Sequence, residues 1–200
     1  MDNKSAQTAR IALPDQGEMT PEQQAVFDAV VSGPRGTVVG PLRAALLNPA
    51  LADRWQKLGE TLRYKTSLPK KISELAIIAT ARRWSSDLEW IIHRKAALAA
   101  GLASEITEAI EHGKRPDFTD VDEENAYLFT RQLLQTGKVD DDVYERVRGR
   151  WADVGVMELT AVIGYYSMVA MTLNAHKIPL PDGAGFVFSA STGESLTKLP

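Results

Sequence analysis

The sequence predicts an all-α fold, a single helical domain with extended N- and C-terminal arms. Three observations lead there. Apolar residues recur at intervals of three and four through most of the chain. Helix-starting residues precede these runs, and Gly or Pro closes them. No alternating apolar–polar stretch of useful length offers a strand. With 200 residues, 44% hydrophobic and 24% charged, the chain has the size and composition to bury one core.

Residues 1–19 hold charges, Pro14 and Gly17 without a sustained period, and read as a loose arm. The helical domain is expected over 20–176. Thr20-Pro21-Glu22-Gln23 starts it with a Thr N-cap, Pro at the first helical position and a box-closing Gln. That helix should turn Val26, Phe27 and Val30 inward and stop near Gly33. The Gly-rich stretch 33–41 has neither of the glycine spacings that cradle phosphates, so it reads as a loop.

Pro41 opens a short helix through Leu46 and Leu47. Asn48-Pro49 then starts a longer one to about Tyr64, with Leu51, Trp55, Leu58 and Leu62 at helical spacing. Two central helices follow, roughly 69–84 and 87–100, separated by Ser85-Ser86 and stopped at Gly101. Ile106 and Ile110 mark a short amphipathic helix over 104–112. Tyr127, Leu128, Leu133 and Leu134 mark another over 121–136, ending at Gly137. A helix over 140–151 carries Val143, Val147 and Trp151 on one side, with acids at its start and arginines towards its end. The last, 156 to about 175, is apolar almost all round and reads as buried. The tail, 177–200, is expected to be extended, with Phe186, Val187 and Phe188 docked on this subunit or a neighbour.

Bulk composition excludes several functions. A net charge of -3 with no Lys/Arg block argues against a nucleic-acid partner. The absence of cysteine excludes disulfides, thiol peroxidase chemistry, iron–sulfur clusters and cysteine-rich zinc sites. The histidines at 93, 112 and 176 have no metal-ligand spacing, so neither a metal nor a cofactor is expected. His112 and His176, each at a helix end, read as residues that complement the helix dipole. The N-terminus lacks the apolar core of a secretory signal. The apolar stretch Leu159 to Leu173 is interrupted by Thr160, Gly164, Ser167 and Thr172, short of the roughly 20 residues that span a bilayer. The expectation is a cytoplasmic protein with no membrane partner.

Chemistry concentrates between Ser73 and Gly101, where Glu74, Glu89 and His93 interrupt otherwise apolar helices. Glu89 and His93 are four apart and share a helix face. If the two helices fold back on each other, Glu74 near the start of one meets His93 near the end of the other. Two acids and a histidine in apolar surroundings perturb one another's pKa values and suit proton transfer. Each residue also has a structural reading. Ser86-Asp87-Leu88-Glu89 is a capping box, Glu74 is a first-turn acid, and His93 is a satisfied core histidine. Trp84 and Trp90 are core residues or pocket walls. Arg82 and Arg83 are solvated, or hold a substrate carboxylate.

The pattern L-P-x-K-x-x-E-L-A-I-I-A-T-A-R from Leu68, followed by L-E-W-x-x-H-x-x-x-A-L-x-A-G-L from Leu88, resembles the carboxymuconolactone decarboxylase / AhpD-like family. A looser likeness, G-P-L-R-x-x-L-x-N-P-x-L, begins at Gly40. The resemblance implies an all-α domain assembling as a homo-oligomer, a trimer or hexamer, that acts on a small molecule. Peroxidase-type members carry C-x-x-C-x-x-x-H after an upstream glutamate. Here the glutamate falls on Glu74 and the histidine on His93, but the two cysteine positions hold Ser86 and Glu89. A hydroxyl cannot replace a thiolate in disulfide exchange, so the peroxidase reaction is lost even where the family label carries that name. What the resemblance leaves is a decarboxylase-like lyase of aromatic catabolism. In it His93 acts as general acid/base, Glu74 and Glu89 assist it, and Arg82 and Trp90 contact substrate. The alternative is a non-catalytic or ligand-binding helical oligomer with a structural Glu/His network.

Overall fold

The computed structural model describes residues 9–181, 183–188 and 198–200. Among them are a short 3-10 turn (Gln16–Glu18), eight helices and no strand. The helices are α1 (Pro21–Ser32), α2 (Pro41–Ala45), α3 (Pro49–Tyr64), α4 (Lys70–Arg83), α5 (Asp87–Ala99), α6 (Ser104–Glu111), α7 (Val121–Thr136) and α8 (Asp141–His176). They form two compact units, one from the described parts of 1–65 and 171–185, the other from those of 66–170 and 186–200.

In the first unit, α1 starts on the expected capping box. The Thr20 hydroxyl accepts from the Gln23 N–H at 3.3 Å, and the Gln23 side chain accepts from the Thr20 N–H at 2.9 Å. Val26 and Val30 are buried, whereas Phe27 is only half-buried. Asn48 caps α3 by accepting from the Leu51 N–H. The buried face of α3 differs from the expected stripe. Trp55 and Leu62 are inside, but Leu51 and Leu58 are 50% and 48% exposed, and Ala52, Gln56 and Gly59 are buried instead. Both α1 and α2 pack on α3. The described part of the N-terminal arm is anchored. Arg10 donates from its backbone N–H and its guanidinium to the carbonyls of His176 and Ala175, at the open end of α8.

The second unit is built around α4, on which α5, α6 and α7 all pack. Every residue from Ile72 to Ala81 is therefore buried, not only one stripe. The core includes Leu75, Ile78, Trp90, Ile106, Ile110, Tyr127 and Phe188, each large apolar side chain contributing about 1.5–3 kcal/mol. The junction of α4 and α5 is a complete Schellman turn. Ser85 N–H donates to Arg82 O, and Ser86 N–H to Ala81 O, with Ser85 itself at φ 47° where glycine is usual. Gly101 and Gly113 close α5 and α6 the same way.

α8 is interrupted at Ala152 (φ 56°, ψ -176°), which separates the two helices expected there and joins them with hardly a loop. Beyond that point it is not buried all round, since Val154 and Met157 are 60% and 65% exposed. It is also longer than its apolar-leaning stretch. By length and composition α8 is the one helix among the described residues that could cross a membrane, and half of that stretch is buried inside the protein.

The tail docks on its own subunit. The backbone N–H groups of Val187 and Phe188 donate to Asp87 Oδ1 at 2.7 and 2.8 Å, and Phe188 is buried against Trp90. Phe186 stays exposed. At its end, Leu199 O accepts from Arg131 and Gln135, and Pro200 O from the Tyr127 hydroxyl. Residues 1–8 of the arm and 182 and 189–197 of the tail lie outside the described residues.

Candidate active site

The turn at Ser85 sends α5 back along α4, so Glu74, one turn into α4, meets His93 in the middle of α5. His93 Nδ1 lies 2.7 Å from Glu74 Oε2, and His93 Nε2 lies 3.4 Å from Glu89 Oε2. A carboxylate facing Nδ1 fixes that nitrogen as an N–H donor. The second oxygen of Glu74 is 2.7 Å from the ammonium of Lys70, one turn earlier on α4. The Tyr166 ring of α8 stands edge-on to the imidazole, centroid to centroid 4.8 Å, and packs in turn against Tyr165. Exposure falls to 0% at Glu74, 2% at His93 and 5% at Glu89.

The three expected residues are thus brought together, and two of the structural alternatives fall. The Ser86 side chain caps nothing, and its hydroxyl has no hydrogen-bond partner among the described residues. The capping box does not form, and Glu89 turns to His93. Nor is Glu74 a first-turn acid at a helix dipole, because α4 has no acid in its first turn and Glu74 is fully buried.

Electrostatics follow from this geometry. Burial disfavours charge on His93, yet its hydrogen bonds to Glu74 and Glu89 outweigh burial and hold its pKa above the ordinary imidazole value. Burial would likewise raise the Glu74 carboxyl, but His93 and then Lys70 hold it below the usual carboxylate range. Both shifts favour the imidazolium–carboxylate form of the pair. Such a group can deliver a proton from Nε2 and take one back.

Arg82 engages the tail and the α4–α5 junction. Its guanidinium covers the Phe188 ring at 4.7 Å, donates to the Ser85 hydroxyl and feels the charge of Glu111. Trp90 is a core residue whose ring meets Phe188 edge-on. It also floors a groove of about 340 Å³ on the outer side of α5, lined with Ile91, Arg94, Lys95, Leu98, Glu111 and Val187. His112 bonds the Glu108 carbonyl one turn earlier, at the end of α6. Among the described residues no group of three His, Asp or Glu side chains is placed to hold a metal ion. Sequence reasoning missed Lys70 and Tyr166. The i,i+4 spacing of Lys70 and Glu74 was a signal for the first. Nothing in the sequence joins Tyr166 to His93.

No protein-family model matches the chain, and no curated protein matches its sequence. Solved structures do match. A peroxidase-related protein from Silicibacter sp. TM1040, uncharacterized, superposes with a TM-score of 0.70 over 94% of this chain and 99% of its own, at 15% identity. The alkylhydroperoxidase AhpD core of a peroxidase-related protein from Ralstonia eutropha JMP134 gives 0.69 over 87% and 93%, at 13% identity. The chain has the AhpD-like fold. The debrominase Bmp8 in complex with 2,3,4-tribromopyrrole shares it too, with a TM-score of 0.69 over 89% of this chain and 95% of that one, at 12% identity. Within that AhpD-like fold, this chain keeps the glutamate and histidine of the resemblance and carries no thiol.

Proposed function

We propose that Glu74, His93 and Glu89 form an acid–base centre that moves a proton on a small unsaturated ring substrate. The specific reaction proposed is loss of CO₂ from a carboxylated lactone, in a protein that works as a homo-oligomer. The observation that carries this reading is His93 held between two carboxylates, one at 2.7 Å and one at 3.4 Å. When the carbon–carboxylate bond breaks, its electron pair stays on the ring as a dienolate. The imidazolium then gives its Nε2 proton to carbon, while Glu74 holds the Nδ1–H and balances the charge. The longer contact, to Glu89, is the one substrate would replace. His93 is almost sealed, so a substrate reaching Nε2 displaces packing neighbours. That the fold neighbour Bmp8 takes 2,3,4-tribromopyrrole, a small planar ring, supports the substrate class. Exposed apolar residues on α8 support the oligomer. Arg82, held by Phe188 and Ser85, is left out of the reaction centre.

Turnover of γ-carboxymuconolactone by wild type and His93→Ala is the test. Wild-type activity lost in the variant is expected. Equal activity in both removes His93 from the mechanism, and none in either removes the substrate.

The burial of the cluster favours one other reading, a structural network without turnover. It predicts a wild type inactive on carboxylated lactones, and a His93→Ala protein that fails by unfolding alone.

A further inference from the structure

The charge chain does not end at the buried residues. Lys70 Nζ, on a side chain 47% exposed, reaches 2.7 Å from Glu74 Oε1, and Glu74 has no exposed surface of its own. The adjacent Lys71 faces the other way and is taken up by α7, 2.9 Å from Asp120 and 2.6 Å from Glu123. One lysine of the pair therefore serves a part-buried ion cluster at the start of α7, and the other serves Glu74. Among the described residues, the ionisable groups facing the imidazole are Glu74 from α4, Glu89 from α5 itself and the Tyr166 ring from α8.

We propose that Lys70 is a positioning residue for His93, a solvent-reaching cation that shares the Glu74 carboxylate and so limits how tightly the imidazole holds its proton. The inference deepens the acid–base reading above and rests on it for its functional meaning. Its physics is charge sharing. Each oxygen of Glu74 serves one cation, Lys70 on Oε1 and the His93 imidazolium on Oε2. Two cations on one carboxylate repel each other across it, and although solvent screens the half-exposed ammonium in part, the buried carboxylate and imidazole between which it acts are screened less. Without Lys70, the two carboxylates would bind the imidazole proton more firmly, and an acid that cannot release its proton cannot turn over. With Lys70, Nδ1 stays the donor, and Nε2 is left as the nitrogen that exchanges protons.

The experiment is an NMR titration of the imidazole signals in the intact protein, with the His93 signal assigned by its loss in His93→Gln. It needs no substrate, so its failure is distinct from failure of the proposed turnover. In Lys70→Met the His93 midpoint is expected to rise by about one pH unit. Lys70→Arg, which keeps the cation, should restore the wild-type midpoint. An unchanged or lowered His93 midpoint in a folded Lys70→Met protein overturns the proposal, and so does a rise that Lys70→Arg fails to reverse. If Lys70→Met does not fold, Lys70→Gln carries the same expectation and the same refutation.

Discussion

His93 and Glu74 tie stability to pH in opposite directions. The folded protein raises the His93 pKa above 6.5, so this contribution is complete below 6.5 and lost as pH climbs through the raised value. It lowers the Glu74 pKa below 4.5, so that contribution is complete above 4.5 and lost as pH falls through the lowered value. The pair should therefore stabilise the fold most between 4.5 and 6.5. Urea denaturation across pH would show that maximum in wild type and a flatter profile in His93→Gln; superimposable profiles would falsify the linkage. Truncation is a harsher change. His93→Ala leaves two carboxylates buried without their shared cation, and should cost roughly 3–5 kcal/mol by the same measurement. A cost within error of zero would show that water or a rearranged Lys70 takes over the ring's place.

The elements are set largely by their ends. α4 stops in a Schellman turn whose left-handed position holds Ser85, although the matching positions after α5 and α6 hold Gly101 and Gly113. A side chain at φ 47° carries strain that glycine would not. Ser85→Gly should stabilise the protein by about 1 kcal/mol. Its hydroxyl also accepts from Arg82; if thermal denaturation shows a loss instead, that bond outweighs the strain. This turn aims α5 back at α4, so the strained residue is what brings Glu74 to His93. At the far side of the junction Asp87 holds the tail through two backbone N–H groups, and burial pushes its carboxyl up against those bonds. Asp87→Ala should free Phe188 from Trp90, read as a change in tryptophan fluorescence and faster proteolysis of the tail.

For the whole molecule, α8 presents a conflict between composition and burial. It is the most membrane-like helix by composition among the described residues, yet Val154 and Met157 lie exposed one turn apart. An apolar surface of this kind is what self-association would cover. Light scattering should give a mass at a multiple of 21.9 kDa, and Met157→Glu should shift it towards the single chain. A wild-type mass of one chain would remove the oligomer from the proposal.

Local chemistry was legible because it acts over a few residues. Thr20 and Asn48 announced helix starts, Gly101 and Gly137 announced ends, and the helices lie within a few residues of where periodicity put them, the last two expected ones running together in α8. The pairing of Glu74 with His93 was also within reach, since two consecutive helices of similar length leave few ways to fold back. What the sequence by itself determined, then, was the all-α class, the element order and which acids and histidine meet between α4 and α5. Tertiary structure alone decided which faces are inside. On α3, apolar spacing pointed to Leu51 and Leu58, but the face buried against α1 and α2 carries Ala52, Trp55, Gln56, Gly59 and Leu62, and both leucines are left half-exposed. It decided that Glu89 serves the histidine and not a cap, and it brought Tyr166 to the ring from 73 positions further along the chain. The physical reason is range: capping and periodicity are fixed by neighbours along the chain, whereas burial and charge partnership depend on which helices meet.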